Sequence, residues 1–245
     1  MLLSLINPRA HLSIFANWLK LVRHQAKNIS ILPYFQIREV IRPMNTWLPY
    51  AIAAAAFIIA AICLTRHLGE EWAWVNRKLI HFSIVPAILM YYLGLIPKEV
   101  FSIAAFSFGV FQLWPHIRKR EFSWYQIRHN YGEVFFAFSA SAIVAFLPRE
   151  YAVPLLLVMA ISDGVTGIIR HYYFRRHGFN VKLKKHWTGS LGYLVTAILI
   201  AFLFLNGGTI IKVAWAGILM IAEYQPYLDD NLAVPLVGSL LFLAF

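Results

Sequence analysis

From residue 48 onward the chain alternates long apolar runs with short polar or charged segments. Runs bounded by charge, glycine or proline fall at 48–65, 79–96, 100–115, 134–147, 151–169, 189–205, 210–222 and 232–245. A helical crossing of a bilayer takes about 20 residues. The pattern therefore predicts an all-α fold, a polytopic membrane helical bundle with about seven or eight transmembrane helices. The last two runs are short, which predicts little tilt, local thinning of the bilayer or a partly re-entrant path.

Residues 47–245 read as one integral-membrane domain, preceded by a basic segment over 1–46. Arg9 and His11 interrupt the first apolar stretch too early for a span, and it carries no small-residue cleavage site. That segment reads as an interfacial amphipathic helix, or as chain upstream of a true start at Met44.

Composition agrees with the pattern. The chain is 60% hydrophobic, 16% aromatic and 13% charged, with mean hydropathy +0.63, whereas soluble domains carry about 25% charge. In so apolar a chain, a net charge of +11 signals topology and contacts to headgroups or phosphates, and nucleic acid is not an expected partner. Cys63 is the single cysteine, so the sequence holds no disulfide framework and no cysteine zinc site.

Alternating the loops between two sides puts thirteen basic residues on one and three, Lys98, Arg149 and Lys212, on the other. The basic side is predicted to face the cytoplasm, the plasma membrane being the site in a prokaryote. The six basic residues before Met44 run against this scheme.

Candidate chemistry begins with Asp163, a carboxylate inside an apolar run. Such a residue costs roughly 2.5–3.5 kcal/mol at a bilayer centre and normally faces a polar cavity or a partner. Gly164 and Gly167 come next, and small residues allow a ligand or another backbone to come close. Arg77, Lys78 and His81 share one helix face by i, i+3 and i, i+4 spacing. Arg128 and Glu133 flank Tyr131 and Gly132, a spacing that also suits a local ion pair. Lys185 precedes Thr188, Gly189 and Ser190 at a predicted helix start, where backbone N–H groups and the dipole suit an anion. Glu223, Asp230 and Asn231 offer hard oxygen ligands suited to Mg²⁺, or else a helix cap. Walker A, dinucleotide-binding, HExxH and GxSxG patterns are absent.

In order along the chain, Arg77-Lys78-x-x-His81, Arg128 through Tyr131-Gly132-Glu133, Ser162-Asp163-Gly164 with Gly167, Lys185-x-x-x-Gly189-Ser190, and Glu223 followed by Asp229-Asp230-Asn231-Leu232-x-Val234-Pro235 resemble the motifs of the polyprenol kinase family, which includes dolichol, phytol and farnesol kinases. Ser162 stands where that family often has glycine, and His186 where it often has serine. The resemblance implies a multi-pass enzyme phosphorylating an isoprenoid alcohol (polyprenol, dolichol or phytol type) with CTP as co-substrate and Mg²⁺ or another divalent cation. It implies catalytic roles for Asp163 and His81. Nucleotide or phosphate contacts would fall to Arg77, Lys78, Arg128, Gly164, Gly167, Lys185, Gly189 and Ser190, and metal ligation to Asp163, Glu223, Asp230 and Asn231. The alternatives are a CTP-dependent diacylglycerol kinase or phosphatidate cytidylyltransferase-like enzyme, and a non-enzymatic transporter or binding protein for an anionic lipid. Oligomeric state is not legible.

Overall fold

A computed structural model of the chain describes Asn17, Lys20, residues 44–178 and residues 185–244. The expected interfacial helix before Met44 lies outside the described residues apart from those two positions. The described residues form helices joined by loops, the longest over 118–131, with no strand among them. The helices are α1 (Met44–Leu68), α2 (Ala73–Ser83), α3 (Val85–Tyr92), α4 (Lys98–Ile117), α5 (Gly132–Phe146), α6 (Arg149–Leu157), α7 (Asp163–His177), α8 (Trp187–Phe204), α9 (Thr209–Tyr224) and α10 (Asp230–Ala244).

Four helical stretches are long and apolar enough to cross a membrane: Thr46–Leu68, Lys98–Ile117, Arg149–His177 and Trp187–Phe204. Gly132–Phe146 and Asp230–Phe242 are apolar but shorter. At 1.5 Å per residue they span about 20–22 Å, less than the roughly 30 Å hydrocarbon core. The run expected over 79–96 is broken: Ile84 separates α2 from α3, and Pro86 sits in the first turn of α3, where its missing N–H costs no intrahelical bond.

The chain runs up and down between two ends. At one end Asn76 Nδ2 donates to the carbonyls of Gly69 and Trp124, and Arg66 lies over the Trp124 ring. At the other, the Arg149 guanidinium lies over Tyr91, and Trp215 donates to Tyr151, whose hydroxyl donates to the Gly238 carbonyl. These contacts tie α3, α6, α9 and α10 together.

The stretch from α6 into α7 is the axis of the bundle. Its most apolar window is 78% buried, against 11% for α1, and Ala152, Val153, Leu155, Leu156, Val158 and Ala160 are fully enclosed. Between α6 and α7, Val158–Ser162 winds as a π-turn, with the Asp163 N–H donating to the Val158 carbonyl. Such turns shift the register of the helix beyond them and concentrate at functional sites. Here the first residue beyond the turn is Asp163.

Close packing of α4 on α5 depends on Gly109, where a Cβ would come within 2.7 Å of the Phe138 ring. Gly109→Val should therefore force overpacking costing about 1–3 kcal/mol, read as a lowered unfolding midpoint in detergent. An unchanged midpoint would show that the two helices do not approach this closely.

Candidate functional site

Loops and helix ends at the basic end of the bundle bring charged residues together in two tiers. The deeper tier is centred on Asp163. Lys78, on α2, donates from Nζ to both carboxylate oxygens at 2.7 and 2.6 Å, and His81 Nδ1 lies 3.1 Å from Oδ2. All three side chains are buried. The carboxylate accepts from Lys78 at both oxygens, so the bond from His81 is Nδ1–H donating, and Nε2 keeps its lone pair. Lys78 is thus the buried counter-ion of Asp163.

The two glycines after Asp163 make this approach possible. A Cβ on Gly167 would lie 2.4 Å from Lys78 Cε, and one on Gly164 would lie 2.6 Å from the Phe82 ring. The space expected for a phosphate at Gly164 and Gly167 is filled by α2 itself. Trp74 Nε1 donates to the Gly167 carbonyl at 3.2 Å and secures the same contact.

The second tier lies toward the end of the bundle. Arg170, seven residues beyond Asp163, pairs with Glu223 on α9 through Nη1–Oε1 at 2.9 Å and Nη2–Oε2 at 3.2 Å. Ser190 Oγ accepts from Arg170 at 3.2 Å and donates to Glu223 at 3.3 Å. Gly189 supports the pair: a Cβ there would meet Arg170 Nε at 2.6 Å. Glu223, fully buried and saturated by Arg170, is structural in this arrangement and is not free for the metal role expected of it.

The amides of Thr188, Gly189 and Ser190 are also engaged. The Thr188 N–H donates to His186 Nδ1 at 3.3 Å, and those of Gly189 and Ser190 to the His186 carbonyl at 3.1 and 3.4 Å. His186 stacks on Tyr173 with ring centroids 4.0 Å apart, and so caps α8 where the resembled family often has serine. A phosphate at these amides would have to displace it.

Lys185 joins the second tier to the start of α10. Its Nζ donates to the Glu223 carbonyl and lies 3.4 Å from both Glu223 Oε1 and Asp230 Oδ2. Burial lowers its pKa, but the charges of Asp230 and Glu223 outweigh burial and raise it above the ordinary value. Asp163, Asp230 and Lys185 lie within electrostatic reach of one another. Arg77 donates to Asn130 Oδ1 at 2.8 Å and lies over the Trp74 ring. Arg128 is exposed.

Asp229, Asp230 and Asn231 form the start of α10. The Asn231 backbone N–H donates to Asp229 Oδ1 at 2.9 Å and to Asp230 Oδ1 at 3.1 Å, and Nδ2 reaches both oxygens at 3.1 Å. Gly132 borders this group, and a Cβ there would meet Asn130 Oδ1, Asn231 Nδ2 and Asp229 Oδ2 at 3.1, 3.2 and 3.3 Å. A small niche walled by three polar groups results. Among the described residues no group of three or more His, Cys, Asp or Glu side chains is arranged to hold a metal ion.

Several contributors escaped the pattern of the sequence. Glu133 pairs with His116 Nε2 at 2.7 Å, both buried, and not with Arg128. Gln112 accepts from Tyr125 at 2.6 Å. The Tyr193 hydroxyl is buried without a partner and feels the charges of Glu223, Asp163 and Asp230. A lone Gln in the 100–115 run and a His just after it were the available signals.

No protein-family model, curated protein or solved structure matches the chain. The resemblance to polyprenol kinases accordingly stands on the motifs alone.

Removing Lys78 leaves a buried carboxylate uncompensated. Lys78→Met should cost about 3–5 kcal/mol, and adding Asp163→Leu should restore most of it. A thermal double-mutant cycle in detergent measures the coupling, and additive losses would disprove the pair. Burial, then the like charge of Asp230, pushes Asp229 up to about 7 from 3.8. Its contribution to stability is full below the unfolded value and is lost as the pH rises through 7. Asp229→Asn should flatten that decline between about pH 4 and about pH 8 relative to the parent protein.

Proposed function

We propose that the protein is a CTP-dependent lipid alcohol kinase that transfers the γ-phosphoryl group to the hydroxyl of an isoprenoid alcohol. The observation that carries this reading is the buried Asp163–His81 pair, set within electrostatic reach of Lys185 and Asp230 at the polar end of an apolar bundle. Phosphoryl transfer asks mainly for positioning and electrostatic stabilisation, with a proton acceptor beside the attacking hydroxyl. The ordered motifs of the resembled family add the donor and acceptor classes.

In this reading His81 Nε2 takes the proton of the alcohol. The alcohol oxygen forms a bond to the γ-phosphorus, the bond from that phosphorus to the β–γ bridging oxygen breaks, and CDP leaves with the electron pair. Asp163 orients the imidazole through Nδ1–H and stabilises the imidazolium, the part an orienting carboxylate takes beside a histidine base. Lys78 keeps Asp163 ionised and fixed. Lys185 and Arg77 hold phosphate oxygens, with exposed Arg128 steering the nucleotide from outside.

The niche at Gly132 would offer a divalent cation Asp229 Oδ2, with Asp230 adjoining, whereas Asn130 Oδ1 is taken by Arg77 and the Gly132 N–H and Asn231 turns its Nδ2 donor inward. Mg²⁺ typically takes one or two carboxylates together with substrate phosphates. When bound, the ion would neutralise charge on the phosphates. Asp163 and Glu223 are consumed by Lys78, His81 and Arg170, so Asp229 and Asp230 are the better ligands. We further infer that the α2–α3 pair, α5, α9 and α10 add four crossings to the four long apolar stretches, eight in all, with this end of the bundle on the cytoplasmic side.

His81→Gln should lower turnover about 10²–10⁴-fold, as expected for loss of a general base, and Asp163→Asn should abolish it with CTP binding retained. Labelled CTP or ATP with phytol, farnesol, long polyprenols and diacylglycerol tests donor and acceptor together. A phosphorylated alcohol with CDP released supports the kinase. A CDP-lipid with pyrophosphate released, or full turnover by Asp163→Asn, overturns it.

A further inference from the structure

A cleft of about 470 Å³ runs between α1, α3, α4 and α5, walled by residues such as Ala51, Ala55, Ile59, Val100, Ala104 and Phe111. Its volume falls within the roughly 300–1,000 Å³ of small-molecule sites. Ile58, Ile84 and Phe108 also line a second, much smaller space of about 20 Å³, together with His81, Gln112 and Glu133. The smaller space is little more than the roughly 10–15 Å³ that one water needs. Each of its three polar side chains carries one buried atom without a hydrogen-bond partner: His81 Nε2, Gln112 Nε2 and Glu133 Oε2. Buried polar atoms are rarely left in this state, and three around one small space point to a polar group that seats there.

The partners of these residues define that group. His81 spends Nδ1 on Asp163, Gln112 spends its side-chain oxygen on Tyr125, and Glu133 spends Oε1 on His116. A donor, Gln112 Nε2–H, and two acceptors remain. A hydroxyl satisfies both kinds at once, accepting from Gln112 and donating to His81 or Glu133. A carboxylate or phosphate head would face Glu133, and an ammonium head would leave the Gln112 amide unpaired. A glycerol backbone with two esterified chains exceeds the small space. Ile58, Ile84 and Phe108 form the shared wall between this space and the apolar cleft, so a single hydrocarbon chain attached to the hydroxyl would reach the cleft by displacing only these side chains.

We propose that this cleft is the binding site for a single-chain long lipid alcohol, with its hydroxyl seated between His81, Gln112 and Glu133 and its chain lying along α1 and α4. The inference rests on the kinase reading for the use made of the alcohol, but alcohol binding itself needs no nucleotide. It puts the acceptor on the face of His81 opposite Asp163, and it makes Gln112 and Glu133 positioning residues for the acceptor hydroxyl.

Purified protein in phosphatidylcholine nanodiscs, without nucleotide, is irradiated with a long-chain alcohol bearing a mid-chain diazirine, and with the matched fatty acid and methyl ether. Adducts should map to peptides covering 51–62 and 100–111, with the alcohol labelling at least ten-fold above the other two. Ala55→Trp and Ala104→Trp, at positions whose own side chains are exposed, should each cut labelling at least ten-fold. Gln112→Leu should narrow the preference for alcohol over ether. Equal labelling by all three probes, which ordinary bilayer lipid in the cleft would produce, overturns the proposal. So do adducts elsewhere on the parent protein, a result that does not depend on the variants folding, and so does undiminished labelling of folded Trp variants. Cleft labelling without phosphorylation would sink the kinase and leave the site standing. Phosphorylation with labelling elsewhere would do the reverse.

Discussion

An ionised group inside an apolar bundle has to find its counter-charge within the protein, and the fold around Asp163 is organised by that demand. Desolvating a carboxylate and an ammonium costs several kcal/mol each, recovered only when geometry is good and the remaining valences are bonded. Lys78 meets both oxygens of Asp163, and His81 adds a third bond. For the lysine stem to pass, α7 must offer a surface without side chains, and Gly167 provides it. Phe82, one residue beyond His81, needs the same concession at Gly164. The π-turn over Val158–Ser162 sets the register in which the carboxylate meets this face.

The same logic recurs a level higher, where Arg170 and Glu223 satisfy each other and Gly189 makes room for the guanidinium. These two pairs tie α2 to α7 and α7 to α9, so the charges that would otherwise oppose insertion become the rivets between helices. Lys185, Asp229, Asp230 and Asn130 gather at the end of the bundle, while His81 Nε2 is left unpaired toward the apolar side. His81 is therefore the junction between the buried charged tier and a space walled by apolar side chains.

Much of this was visible along the chain. Asp163 declared itself as a carboxylate in an apolar run, and helical spacing correctly put Lys78 and His81 on one face. The glycines were legible as close-approach positions, but what approached was not. At Gly164, Gly167 and Gly189 the visitor is Phe82, Lys78 or Arg170, because a helix neighbour fills such a gap as well as a ligand does. Glu133 was visible as a charge near Arg128, yet it turned to His116, seventeen residues away, since only inside the bundle is that partner nearer than a local one. Gln112 was hidden by its apolar neighbours, being a single polar residue in a run whose average decides the reading.

The amino-acid order by itself determined that the chain is helical and largely lipid-compatible, that its polar segments alternate with apolar runs, and that Asp163 required a partner. These properties come from composition and period, which act locally. Tertiary structure alone decided which cation met which carboxylate, which glycine faced which side chain, where α2 ended and α3 began, and which polar atoms stayed unpaired. Those outcomes depend on contacts between residues tens of positions apart, and their energies exist only once the helices have closed around them.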